Sequence, residues 1–125
     1  MTTRHRGIPH YFTRSEGGFV ASGLARSPWS RGTLAGGPVS SLLAAIADES
    51  DFDPRFNVAR LTVEIFGTVP DEPLTPRVIC LGEGRQMQLH RIELSTATRV
   101  AAQAHVLLVR DAETPAFAPP CDYPH

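Results

Sequence analysis

Two adjacent glycines, Gly36 and Gly37, stand directly before Pro38 and the apolar run VSSLLAAIADE. A proline in a first helical turn loses nothing, because the N–H it lacks would have no partner there. The pair therefore places bare backbone at a helix start, where amide groups point outward and the helix dipole is positive. Such a spot can hold negative charge developing on an oxygen, and the missing side chains let a reacting group come close. A second reading of Gly-Gly-Pro is a tight turn and nothing more.

A reaction also needs a base or a nucleophile. Asp48 and Glu49 are the acids on this helix, and at the helical rise Asp48 lies ~16 Å from Gly37. One small group cannot touch both within a subunit, so these acids read as a solvated helix end. Ser40 and Ser41 flank the first turn without a visible partner base, and capping or back-bonding accounts for them. Glu64 shares a strand face with Arg60 and Thr62, the pattern of a solvent-facing charge pair. His90 and His105 remain as catalytic candidates. Each shares a strand face with a glutamine, Gln88 and Gln103, in an otherwise apolar sheet. Neighbouring strands could bring the two rings together. The competing reading makes each a buried, hydrogen-bonded core histidine.

The elements that must position these groups follow from periodicity. Over 38–49, Val39, Leu42, Leu43, Ile46 and Ala47 fall on one helical stripe. Ser41, Ala44, Ala45 and Asp48 occupy the other side, and alanines in place of charges suggest that it too is partly covered. Before the helix, GGFVASGLA (17–25) reads as a short strand, and RSPWSRGTLAGG as a loop. After it the period changes to two. FNVARLTVEIFGTV (56–69), PLTPRVICLGEG (73–84), RQMQLHRIELST (85–96) and TRVAAQAHVLLVR (98–110) read as four strands. Pro76 places the second of these at an edge or a bulge. In the third, Met87 and Leu89 share one face and Ile92 and Leu94 the other, so a bulge is expected near His90 or Arg91. The predicted order is a strand, a helix and a four-stranded antiparallel meander, an α+β arrangement. Residues 1–16 read as a loosely held lead-in, 17–110 as the domain and 111–125 as a Pro-rich tail or linker.

Composition narrows the functions. A chain of 125 residues suits one domain, and 12 basic against 13 acidic residues leave a net charge of −1 without a basic patch. Nucleic acid is thus not an expected partner. No apolar window reaches membrane-spanning length, and MTTRHRGIPHYF lacks the apolar core of a secretory signal. Cys80 and Cys121 read as unpaired thiols of a reducing cytoplasm rather than a disulfide. Two cysteines cannot build a metal site alone, and the five histidines show no spacing that completes one. Neither metal nor cofactor is expected.

A strand, a Gly-Gly helix start, an apolar helix and four strands together resemble a hotdog domain, a curled antiparallel sheet around one long central helix. More narrowly, SPWSRGTLAGGPVSSLLAAIADE, ARLTVEIFGTVPDEPLTPRV and GEGRQMQLHRIEL are similar to successive segments of the acyl-CoA thioesterase II-like family. The resemblance spans roughly residues 17 to 110. It implies an acyl-CoA thioester as substrate or ligand, with the Gly37 amide as oxyanion donor and Gly36 shaping the turn. The implied substrate contacts are Leu34, Ala35, Gly36, Gly37 and Pro38. Trp29 joins them as an acyl-pocket wall, unless it anchors the core beneath its loop. Arg85 joins them as a contact to a CoA phosphate, unless it is a solvated hairpin arginine. Two positions depart from the pattern: Ala35 stands where many relatives carry histidine, and Ala44 where many hotdog thioesterases carry a carboxylate.

Enzymes of that family usually hold two hotdog units in one chain, with the catalytic polar residues largely in the second. This chain ends where a linker between units is expected. Pairing is therefore expected, as a homodimer or with a second unit, because a lone hotdog exposes a sheet edge. The readings are an acyl-CoA thioesterase that hydrolyses or binds its thioester at a subunit interface, or a non-catalytic acyl-CoA-binding or assembly half of one. A hotdog dehydratase lacks support, since no acid and histidine show the required spacing.

Overall fold

The computed structural model describes residues 10–113 and Ala116. The strands are β1 (Phe12–Ser15), β2 (Gly18–Ala21), β3 (Thr33–Leu34), β4 (Phe56–Ile65), β5 (Val69–Pro70), β6 (Thr75–Glu83), β7 (Met87–Ser95) and β8 (Val100–Arg110). One helix, α1 (Gly36–Glu49), and a short 3₁₀ turn (Gly23–Ala25) complete them. The helix buries Val39, Leu42, Leu43, Ile46 and Ala47, the stripe its periodicity marks. It packs on β4, β7 and β8. On β8 the small residues Ala102 and Ala104 are fully buried between the helix and its strand neighbours, which lets α1 lie close to the sheet. The architecture is the α+β hotdog arrangement, one helix against an antiparallel sheet.

Three features differ from the periodicity reading. The large sheet runs β4-β8-β7-β6, so the four strands are not a simple meander. The strand after the helix pairs with the last strand, Ile65 opposite Ala102 and Phe56 opposite Arg110. Alternation along a strand says which face a residue takes and nothing about which strand lies beside it. The bulges also lie elsewhere. β7 keeps one register with β8 from Met87 to Leu94, and the irregularities fall between Leu94 and Ser95 at its end, between Cys80 and Gly82 in β6 and between Val58 and Arg60 in β4. Met87 and Leu89 therefore belong on the face away from the helix. Pro76 sits in the edge strand β6, where its missing donor costs no ladder bond.

The third difference is an N-terminal hairpin. Phe12 pairs with Ala21 and Ser15 with Gly18, so part of the segment read as a lead-in is a strand. The hairpin docks on the sheet through paired bonds, Phe19 N–H to the Leu74 carbonyl (2.8 Å) and Leu74 N–H to the Phe19 carbonyl (2.9 Å). A Cβ at Gly18 would come within 2.4 Å of the Leu74 carbonyl oxygen, a backbone atom that cannot swing away. Gly18→Ala should therefore loosen this joint at a cost of roughly 1–3 kcal/mol. A thermal melt would show the loss; an unchanged midpoint would mean the hairpin docks otherwise.

Past α1, Asp53 receives hydrogen bonds from the Arg55 guanidinium and backbone N–H. The guanidinium bonds first, and the backbone bond next, lower its pKa to about 2. A carboxyl depressed on folding stabilises the protein above its unfolded pKa, and that contribution disappears as pH falls toward 2. Asp53→Asn should flatten the acid limb of a stability–pH curve; an unaltered limb would contradict the pairing. Cys80 is an exposed free thiol, while Cys121 and most of the Pro-rich tail lie outside the described residues. No described helix is long and apolar enough to cross a membrane.

Candidate functional site

Helix α1 starts without a cap. Ala35 is its N-cap residue, in extended conformation (φ −74°, ψ 148°), and among the described residues no side chain caps the first turn. The first helical hydrogen bond runs from the Val39 N–H to the Ala35 carbonyl at 3.3 Å. Pro38 has no N–H, so the helical pattern leaves two unpaired donors at this end, those of Gly36 and Gly37. Both glycines are exposed. A Cβ at Gly37 would meet nothing within 4 Å, and one at Gly36 would meet Ile65 Cδ1 at 3.4 Å. The spot is open. Ser41 Oγ donates to the Gly37 carbonyl at 3.0 Å, the back-bonding its position suggests.

The sheet fixes where the other candidates lie. Gly36 abuts Ile65, which pairs with Ala102, which pairs with Leu94, so the helix begins over this row of the sheet. His90 is 8% exposed on the helix-facing side, with Nε2 3.1 Å from Gln88 Oε1. Its ring centroid lies 4.6 Å from that of Phe52, two residues past the helix C-cap. It therefore sits beneath the far end of α1. His105 occupies the opposite sheet face, its Nδ1 3.1 Å from Glu64 Oε1, which also accepts from Gln103 Nε2 at 3.1 Å. The register sets this separation: His90 opposes Val106, whereas His105 opposes Arg91. The two histidines do not meet, and within one chain neither stands beside Gly37.

The remaining candidates separate likewise. Leu34 is 6% exposed and packed in the core, so its side chain faces inward. Ala35 is half-buried and bonds the Ala25 carbonyl through its N–H. Pro38 is half-buried beside the glycines. Trp29 is 93% exposed rather than beneath its loop, and its backbone N–H donates to the Ser27 hydroxyl at 3.2 Å. Arg85 lies in the β6–β7 turn, beyond Met87. Met87 is seven strand positions from Leu94, ~23 Å along an extended strand, so Arg85 is at the opposite end of the sheet from the helix start.

One feature escaped the periodicity reading. A groove of about 290 Å³ follows the exposed side of α1. Pro38, Ser41, Leu42, Ala45 and Glu49 form one wall, a stripe along the whole helix. His10 and Tyr11, just before the hairpin, and Phe12, Arg14 and Phe19 within it form the other. Ala44 and Ala45 are uncovered in the single chain, and Ala45 gives the groove its width. The signal that could have found it is Glu16-Gly17 between two alternating tetrads, FTRS and GFVA. Among the described residues no group of three or more His, Cys, Asp or Glu is placed to hold a metal ion.

Residues 25–109 match the family model described as the acyl-CoA thioesterase N-terminal domain. No curated protein matches the sequence. Among solved structures, a thioesterase from Thermus thermophilus complexed with coenzyme A and Zn shares 19% identity, with a TM-score of 0.58. The alignment covers 78% of this chain and 82% of that one. A Streptococcus mutans protein bound to acetyl CoA shares 12% identity at a TM-score of 0.59, covering 87% and 94%. A phenylacetic acid degradation-related protein from Ralstonia eutropha shares 16% at 0.57, covering 78% and 82%. At these identities the likeness is one of fold.

Proposed function

The chain belongs to the acyl-CoA thioesterase N-terminal domain family, and on that premise we propose that it holds an acyl-CoA thioester for hydrolysis at the start of α1. The carbonyl oxygen accepts from the Gly36 and Gly37 N–H groups, which stabilise the charge that appears on it as water attacks. The carrying observation is the uncapped helix end: among the described residues no side chain caps its first turn, and a Cβ at Gly37 would meet nothing within 4 Å. CoA bound to the Thermus thermophilus structure and acetyl CoA bound to the Streptococcus mutans structure support the substrate class.

Water must be activated from elsewhere. Among the described residues the candidates His90, His105, Asp48 and Glu49 all lie away from Gly37, and this reading takes the activating group from a second hotdog unit. The edge strand β4 is where that unit joins. Ten residues long, it has only β8 beside it among the described strands, and Val58 and Ile65 are 49% and 38% exposed. The partner is a second copy of this chain or a separate hotdog unit. The compartment is the reducing cytoplasm, in keeping with the free thiol of Cys80.

Purified protein given a panel of acyl-CoAs with a thiol reagent tests the proposal through released CoA. Turnover above buffer is expected from the homodimer. Binding without turnover would favour the non-catalytic half, the reading to which the empty surroundings of Gly37 otherwise point. Neither binding nor turnover would remove the proposal. Sedimentation should show a dimer that the pair Val58→Lys and Ile65→Lys converts to monomer; a wild-type monomer at every concentration would remove the second copy as the partner at β4.

A further inference from the structure

We propose that the groove between the N-terminal hairpin and α1 holds a linear acyl chain, and that the Arg14–Glu49 ion pair sets its length limit. The inference deepens the reading above, since it takes the carbonyl to sit at Gly36 and Gly37. The groove starts at Pro38, the next residue, and its helical wall recurs at Leu42 and Ala45 before reaching Glu49. Tyr11, Phe12 and Phe19 face that wall with aromatic surface. A largely apolar slot whose lining begins one residue after two amide donors fits a ligand with a polar head and a greasy tail.

The end of the slot is charged. Arg14 bridges to Glu49 across it and lies over the Phe19 ring, 5.2 Å from its centroid. Beyond these residues a second space of about 380 Å³ continues past Gly18 and Ile46 to Pro76. Arg14, Phe19 and Glu49 line both spaces, so the ion pair is the partition. A methylene pushed against it must strip water from two charges, which costs more than its own burial returns. From Pro38 to Glu49 the helix rises ~16 Å. An extended chain advances about 1.2 Å per bond, so roughly 13 carbons fit before the partition.

Binding of free saturated fatty acids tests this without any need for hydrolysis, their carboxylate taking the place of the thioester carbonyl. Calorimetry with chains of roughly 8 to 18 carbons should show affinity rising about fourfold per methylene, then levelling near 13. Arg14→Ala and Glu49→Ala should each let the rise continue to longer chains. Both side chains of the pair are more than half exposed, so neither variant should unfold the protein. Ala45→Trp should weaken every chain length at least about tenfold. No fatty-acid binding, or the same plateau in wild type and both variants, would overturn the proposal. Graded fatty-acid binding without thioester turnover would uphold the groove and sink the catalytic reading; turnover indifferent to these substitutions would do the reverse.

Discussion

Gly37→Val is expected to lower acyl-CoA turnover at least about 100-fold, or to abolish acyl-CoA binding, in a protein that remains folded. The loss of one oxyanion donor typically costs 10²–10³ in rate, and a branched side chain in front of both amides should do no less. Stability should hold because a Cβ at Gly37 meets nothing within 4 Å, and valine is no worse than glycine in a helix. Circular dichroism and a thermal melt would check the fold beside the thiol assay. Native-like spectra with full activity would remove the oxyanion assignment. Most sites cannot be tested so cleanly, since a buried glycine usually takes the fold down with it.

Leu43→Ala should show the largest loss of stability. Leu43 is 0% exposed on the helix stripe that faces the sheet. Truncation leaves a cavity that rigid neighbours do not fill, at a cost of roughly 3–5 kcal/mol. The melting midpoint should then fall by roughly 10 °C or more. Urea titration should show a lower midpoint at an unchanged slope. A shift of only a degree or two would mean that α1 does not seal the core.

How much of this was legible follows from what local patterns encode. The stripe from Val39 to Ala47 identified the helix and its buried face, because helical spacing is set within the helix itself. Alternation in VAAQAHVLLVR likewise puts Ala102, Ala104, Val106 and Leu108 on one face, the buried face of β8. The bare start at Gly36 and Gly37 was visible for the same reason. Strand neighbours were not. Placing β4 beside β8 depends on the crossover between β4 and β6, and no residue of β4 announces it. The histidines show the same limit: the face of each was right within its strand, yet whether two faces coincide depends on register. The groove was hidden because it exists only once Phe19 and Leu74 bond the hairpin to the sheet.

The pairing of β4 with β8 also governs the order in which the molecule can be made. Residues 56–65 leave the ribosome well ahead of residues 102–110, their sheet neighbours. Until those arrive, β4 is a solitary ribbon and the underside of α1 has no floor. The β6, β7 and β8 strands join through tight turns and can assemble quickly, whereas the last seam closes across a long stretch of chain, a slow class of contact. Nascent chains shortened by even one strand should thus be sticky and short-lived, prey to proteases and to one another.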